Sequence, residues 1–229
     1  MVPEREVLIS ALKMTRKGCT RIEEISRDAS VPSTLARKIL EKYSKVELAN
    51  ISEETVVMDG EQRLGIAYRS IELGADLERV CRLLRWREFE DISALAFEAR
   101  GFSVMKHFRF KDLDKRWEID ILALKNPFVL SVDCKHWRKS LRRSALSRIV
   151  ESQVKRTQAL YKVSPQLHAR SDIAGWRSAM FIPLILSLIP SPTKFHQNVP
   201  IVPVFQLRNF ITEMPAHADH LTRFPRKFS

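Results

Sequence analysis

The sequence predicts an α/β protein: a mixed sheet flanked by helices, with a small helical domain in front of it. Two observations carry this reading. From residue 86 to residue 206, apolar residues recur at helical spacing, then in three strand-like runs, then again at helical spacing, and finally in two apolar strands. Residues 4 to 44 instead carry three short amphipathic helical patterns with no strand-like run among them. At 229 residues the chain is long enough for one large or two modest domains.

The first helix is read over residues 4–17, where Val7, Leu8, Ala11, Leu12 and Met14 form a stripe, with Gly18 as its stop. Thr20 is placed as the cap of a second helix, with Glu23 closing a capping box and Ile22, Ile25 and Ala29 facing inward. After the turn "ASVPST" a third helix runs through "STLARKILEKY", with Leu35, Ile39 and Leu40 as its core face. "KVELANI" and "ETVVMD" then read as a short hairpin. Residues 60–85 read as two helices forming a linker, separated at Gly74.

The second domain is expected over residues 86–229. It opens with a helix whose stripe is Trp86, Phe89, Ile92, Leu95, Ala96 and Ala99, stopped by Gly101. Strands follow around "SVMKHFRF", "WEIDILAL" and "FVLSVDCKHW", then a long basic helix over roughly 140–162, then the strands "MFIPLILSL" and "PIVPVFQL".

The formal net charge is +12 and the pI about 9.9, which points to a polyanionic partner, nucleic acid first. The surplus is local. Residues 1–59 hold ten Lys/Arg against ten Asp/Glu, whereas residues 136–177 hold ten Lys/Arg against Glu151 and Asp172. Cys19, Cys81 and Cys134 have neither CxxC pairing nor zinc spacing and read as reduced thiols of a cytoplasmic protein. "MVPEREV" lacks an apolar signal core, and "MFIPLILSLIP" is too short to span a bilayer, so no membrane partner is expected.

The stretch "EIDILALKNPFVLSVDCKHW", residues 118–137, places acids inside two apolar strands. Side chains alternate along a strand, so Glu118, Asp120 and Leu122 are expected on one face of the first. On the next, Val129, Ser131, Asp133 and Lys135 share a face, and Cys134 points the other way. If the strands pair, Asp120 and Asp133 converge with Lys135 beside them. Two close carboxylates repel unless a cation separates them, and a hard divalent ion such as Mg²⁺ (or Mn²⁺) resolves the conflict. Lysine then supplies positive charge where a phosphoryl transition state gathers negative charge. The alternative is a partly buried salt bridge from Lys135 to one of the acids.

Asp120, then Asp133 thirteen positions on, then Lys135 resembles the active-site signature of the PD-(D/E)xK nuclease superfamily. "FE" at Phe89–Glu90, thirty positions before Asp120, resembles the first motif of Mrr-type restriction endonucleases and archaeal Holliday-junction resolvases, and "DCKHW" is close to the Mrr-type form. The resemblance covers about residues 86–206. It implies a restriction-endonuclease-like fold and Mg²⁺-dependent phosphodiester hydrolysis. Asp120, Asp133 and the backbone carbonyl of Cys134 would bind metal, Lys135 would orient water or stabilise charge, and Glu90 would complete the site. The family often has Glu or Gln where Asp133 stands.

The three helices and hairpin of residues 1–59 resemble a winged helix-turn-helix domain, whose third helix would offer Ser33, Thr34, Arg37, Lys38 and Lys42 to a DNA major groove. On the basic helix, Arg138, Lys139, Arg142, Arg143, Arg148, Lys155 and Arg156 would grip phosphates, and Gln153 or Gln158 would touch the site or DNA. His136 and Trp137 are read as packing, and His217 and His220 as part of an exposed tail. The expected activity is that of a DNA endonuclease, with cleavage of both strands favouring a homodimer. The alternatives are a DNA-binding regulator on an inactive nuclease fold and a Holliday-junction resolvase.

Overall fold

The computed structural model describes residues 2–136, 143–168, 173–188 and 190–228, apart from the side chains of Arg143 and Leu167. The chain divides into two units, residues 1–92 and 93–229.

The first unit begins with α1 (Val2–Met14), in which six consecutive residues, Val7 to Leu12, are buried. A helix buried all round sits at the centre of its domain, and α1 packs against the helices that follow it. Next come β1 (Thr20–Arg21), α2 (Ile22–Ala29), α3 (Ser33–Ser44), β2 (Asn50–Ser52) and β3 (Thr55–Val57). The three strands form one antiparallel sheet in the order β1-β3-β2, so the expected hairpin gains a third strand from the segment before α2.

The acid that closes the start of α2 is Glu24, one residue later than expected. Its carboxylate accepts from the Arg21 N–H at 3.2 Å and from the Thr20 hydroxyl. The core face of α3 is likewise turned from the expected one. Ala36, Leu40 and Tyr43 are buried, whereas Leu35 is 36% exposed. Tyr43 Oη, not a hydrocarbon, completes that face by donating to Glu4 Oε1 on α1 at 2.7 Å, where Lys42 also donates at 2.7 Å. These two donors hold the Glu4 carboxyl below its usual value.

Residues 60–85 form α4 (Gly60–Glu72) and α5 (Leu77–Leu83), separated at Gly74, whose φ of 84° favours glycine. Both pack on α1, so they belong to the body of the first unit and do not act as a linker. Gly65 lies inside α4 because a Cβ there would meet Leu48 Cδ2 at 2.5 Å. α6 (Trp86–Glu98) follows, and the division between the units falls within it. Along α6, Phe89, Ile92 and Phe97 are buried, while the expected stripe residues Trp86 and Leu95, and Ala99 just past the helix end, are exposed.

A buried guanidinium ties the first unit together. Arg63 on α4 is 0% exposed, and its guanidinium is met by four polar partners. It donates to Leu12 O at 2.7 Å, Thr15 Oγ1 at 2.8 Å, Leu83 O at 3.0 Å and Glu88 Oε1 at 2.9 Å. Glu88 Oε2 in turn accepts the Arg85 N–H at 2.7 Å, so the acid also caps α6. Burial pushes the Cys81 thiol in α5 up to about 12, which leaves it an inert thiol.

The second unit is a seven-stranded mixed sheet with helices. Its strands are β4 (Ser103–Asp112), β5 (Lys115–Lys125), β6 (Phe128–Lys135), β7 (Ser178–Ser187), β8 (Phe195–His196), β9 (Val199–Pro203) and β10 (Phe224–Lys227). The order is β4-β5-β6-β7-β9-β8, with β10 pairing the start of β7. The β4-β5-β6 meander is antiparallel; β6-β7 and β7-β9 are parallel. The long crossover that a parallel pair requires contains α7 (Arg143–His168). α8 (Leu207–His217) follows β9. The expected strand "PIVPVFQL" therefore ends at Pro203, and Leu207, Ile211 and Met214 form a buried helical face beyond it. His217 and His220 are exposed at the end of this helix and just past it.

Leu146, Val150, Gln153, Thr157, Leu160 and Ser164 are the buried stripe of α7, at spacings of three and four. Leu146 and Val150 pack with Ile185, Val199 and Ile201, while Leu160 packs with Ile119, Leu122, Leu124, Val129 and Phe181. Ile119 and Leu122 enter the same cluster, so the strict alternation expected along β5 breaks at Asp120 and Ile121. Opposite this point on β4, His107 has a φ of 51° and is skipped in the ladder, with Lys106 facing Ile121 and Phe108 facing Ile119. The register is the same on either side, so His107 and Asp120 form an unpaired rung in an otherwise continuous ladder, with no residue inserted.

Candidate active site

The β5–β6 ladder ends at Ile121 facing Val132. Past that pair β5 continues against β4 alone, as far as Lys115, and β6 continues against β7 alone, as far as Lys135. The two strands part, and the next position of their common register is Asp120 facing Asp133. Asp120 fills the missing rung with its side chain: Oδ2 accepts the Cys134 N–H at 2.7 Å.

Asp133 is 3% exposed. Lys135, two residues on and therefore on the same face, approaches both of its oxygens, at 3.0 Å from Oδ1 and 2.9 Å from Oδ2. A second cation arrives from α7, where Arg156 Nη1 lies 3.0 Å from Asp133 Oδ1. Arg156 is held in turn by Gln153, whose Oε1 accepts from the same Nη1 at 2.6 Å. Gln153 Nε2 donates to Ser131 O at 2.5 Å and contacts Ser131 Oγ at 3.2 Å. One turn of α7 is thus pinned to β6 through polar contacts, at the place where the helix stripe turns from hydrocarbon to amide.

Burial pushes the Asp120 carboxyl above its usual value, and the charge of Asp133 pushes it further. The Cys134 N–H, Lys135 and Arg156 pull the other way and do not prevail.

The second unit thus brings Asp120, Asp133, Lys135 and Arg156 to one place. Arg156 was expected to grip phosphate; its first partner is an acid of the site. Gln153 was expected to touch the site or DNA. It is 0% exposed and bonded to Ser131, which removes it from any nucleic-acid surface. Glu118, which the alternation placed with Asp120, pairs with Arg109 at 2.9 Å on the exposed part of the hairpin. Glu90 belongs to the first unit, where it is buried and accepts from Trp86 Nε1 at 2.6 Å. Trp137, Arg138, Lys139 and Arg142 lie outside the described residues, as does the Arg143 side chain.

On α3, Thr34 and Lys38 are exposed. Ser33 Oγ lies 3.1 Å from Ser26 Oγ, Arg37 donates to Glu53 O at 2.7 Å, and Lys42 is bonded to Glu4.

Among the described residues, no group of three or more His, Cys, Asp or Glu side chains is arranged to hold a metal ion. The two carboxylates at the fork still suit a hard divalent ion. Mg²⁺ is commonly held by one or two carboxylates, with waters and substrate phosphates completing its shell. Asp120 Oδ1 has no hydrogen-bond donor among the described residues, which leaves one carboxylate oxygen of the fork open to an ion.

Among the described residues, no helix is long and apolar enough to cross a membrane. No protein-family model matches the chain. The crystal structure of protein VC1899 from Vibrio cholerae aligns with 96% of the chain at 10% identity and a TM-score of 0.37. The chain spans 53% of that structure's length, and neither fold nor function follows from a likeness so distant. An uncharacterized protein of Archaeoglobus fulgidus is 34% identical over 132 residues, covering 57% of this chain and 92% of the archaeal protein. With that identity extending over nearly the whole archaeal protein, the chain belongs to the same family as this uncharacterized protein.

Proposed function

We propose that the protein is a Mg²⁺- or Mn²⁺-dependent DNA endonuclease with a PD-(D/E)xK-type site in its second unit and a DNA-binding winged-helix unit before it. The observation that supports this most is the fork itself, where two strands part and leave Asp120 facing Asp133 with Lys135 on its carboxylate. In this reading the protein acts in the cytoplasm, and cutting both strands of a duplex calls for two copies of the chain.

Asp120 and Asp133 would hold the ion, together with the Cys134 carbonyl. When bound, the ion supplies Lewis acidity that makes water a competent nucleophile near neutral pH. Asp133 fixes the Lys135 ammonium beside the carboxylates, where it stabilises the charge that gathers on the phosphoryl oxygens. Gln153 keeps α7 in register with β6, so that the Arg156 guanidinium stays at the same opening. Hydrolysis then forms one P–O bond to water and breaks one P–O bond to the leaving sugar oxygen.

A second reading is a DNA-binding regulator on an inactive nuclease fold. It is favoured by the two cations on Asp133, which also make a closed salt-bridge network. Supercoiled plasmid with Mg²⁺ or Mn²⁺ separates the two. Nicking by the native protein that falls about a hundredfold or more in Asp133→Ala and Lys135→Ala supports the nuclease. Retained DNA binding with no cleavage of plasmid, linear duplex or four-way junction supports the regulator. Preferential cutting of the junction would make the enzyme a resolvase.

A further inference from the structure

Within the second unit the four side chains at the fork carry two negative and two positive charges, so among themselves they are already balanced. Both oxygens of Asp133 are in use: Lys135 lies at 3.0 and 2.9 Å from them, and Arg156 at 3.0 Å from Oδ1. A divalent ion added at Asp133 beside both of these cations leaves an excess of two positive charges, which favours the departure of one of them. A phosphodiester supplies negative charge, and a guanidinium binds phosphate oxygens at least as well as it binds a carboxylate.

We infer that Arg156 is a placeholder cation: it occupies Asp133 in the free protein and yields it to a divalent ion when a nucleic-acid phosphate enters to take the guanidinium. This deepens the nuclease reading and rests on it. Gln153 makes the exchange local. Its amide is locked to Ser131 and its Oε1 accepts from Arg156 at 2.6 Å, so the guanidinium has a fixed anchor about which to turn from carboxylate to phosphate. Arg156 is a positioning residue in this scheme, and its role is to couple metal and phosphate binding. The coupling is reciprocal: metal must raise affinity for the phosphate backbone by the same factor as phosphate raises affinity for metal.

The test is Mn²⁺ binding, followed by the electron paramagnetic resonance signal of the free ion, with and without a short phosphorothioate DNA duplex. The native protein is expected to bind Mn²⁺ at least about tenfold more tightly with the duplex than without it. Arg156→Gln is expected to bind Mn²⁺ about tenfold more tightly than native in the absence of duplex, and to lose most of the duplex effect. Arg156→Lys, which keeps the charge, is expected to stay close to native. Asp120→Asn corrects for ions bound by the DNA alone. If native protein binds Mn²⁺ equally well with and without duplex, the placeholder role is overturned while the metal site stands. The same follows if Arg156→Gln binds no better than native. If native protein and Asp120→Asn behave alike under all conditions, the metal site fails, and the nuclease reading with it.

Discussion

Asp120 Oδ2 accepts the backbone N–H of Cys134 at 2.7 Å, across the point where their strands separate. The same carboxyl is pushed above its usual value by burial and by Asp133. An acid whose folded-state value exceeds its unfolded value holds its proton more firmly when folded, so ionising it opposes folding. This penalty is absent at pH below the unfolded value of about 3.9. It grows as pH rises from there through the folded value and is complete above it. Asp120→Asn keeps an oxygen to accept the Cys134 N–H but never ionises. The variant is expected to melt above native protein at neutral pH, with the difference closing as pH falls toward the unfolded value. Thermal melts across that range check this; a variant that melts lower at neutral pH would show that the attraction of Lys135 and Arg156 outweighs burial and repulsion.

Gln153→Leu keeps the bulk of a buried side chain and removes its polar atoms. Ser131 O loses its donor and Arg156 loses its anchor. A buried carbonyl left without a donor costs about 1–3 kcal/mol. Urea unfolding is expected to show a loss of that size, with the slope on denaturant unchanged.

Arg63→Met leaves the buried Glu88 without its close counter-ion, with only the Arg85 guanidinium 3.8 Å away. Removing one partner of a buried pair costs about 3–5 kcal/mol, chiefly through the charge left behind. Adding Glu88→Gln is expected to recover part of the loss, since the amide oxygen can still accept the Arg85 N–H. A thermodynamic cycle over the native protein, the two single variants and the double variant measures the coupling, and additive effects would refute it.

Lys38 and Lys42 share the exposed side of α3 but differ in their partners: Lys42 is bonded to Glu4, and Lys38 has no ion pair among the described residues. If α3 meets DNA, Lys38→Ala is expected to reduce the slope of log affinity on log salt by about 0.9, one phosphate's worth. Lys42→Ala is expected to change it less, because Glu4 already offsets that charge. Fluorescence titrations of a labelled duplex at several salt concentrations decide this, and slopes in both variants equal to the native slope would exclude these α3 lysines from the phosphate contacts.

Asp120, Asp133 and Lys135 were legible because strand alternation and a short turn leave few registers for two neighbouring strands. Arg156 was not, because a basic helix of this density reads as phosphate-binding whichever way each residue turns. The signal that could have found it is the spacing of Leu146, Val150, Leu160 and Ser164. That series puts Gln153 on the buried line, and an amide on a buried line must have a partner. Leu35 was assigned to the core by hydropathy, whereas the phenol of Tyr43 took the inward place through its bond to Glu4. α8 was missed because the last strand was carried through "PIVPVFQL" and the residues around His217 and His220 were read as an exposed tail, although Leu207, Ile211 and Met214 already had helical spacing.

The parting of β5 from β6 has a consequence for how such a site could arise or be lost. A pair of strands zipped to its end presents only a smooth pleated surface, with no gap for a small reactant to enter. Here one rung has been surrendered, and the main-chain group it would have left bare is satisfied by the very carboxylate that the gap exposes. Opening and occupant therefore come as a unit: an aliphatic residue at position 120 would do more than subtract an acid, because nothing would then hold the zipper open.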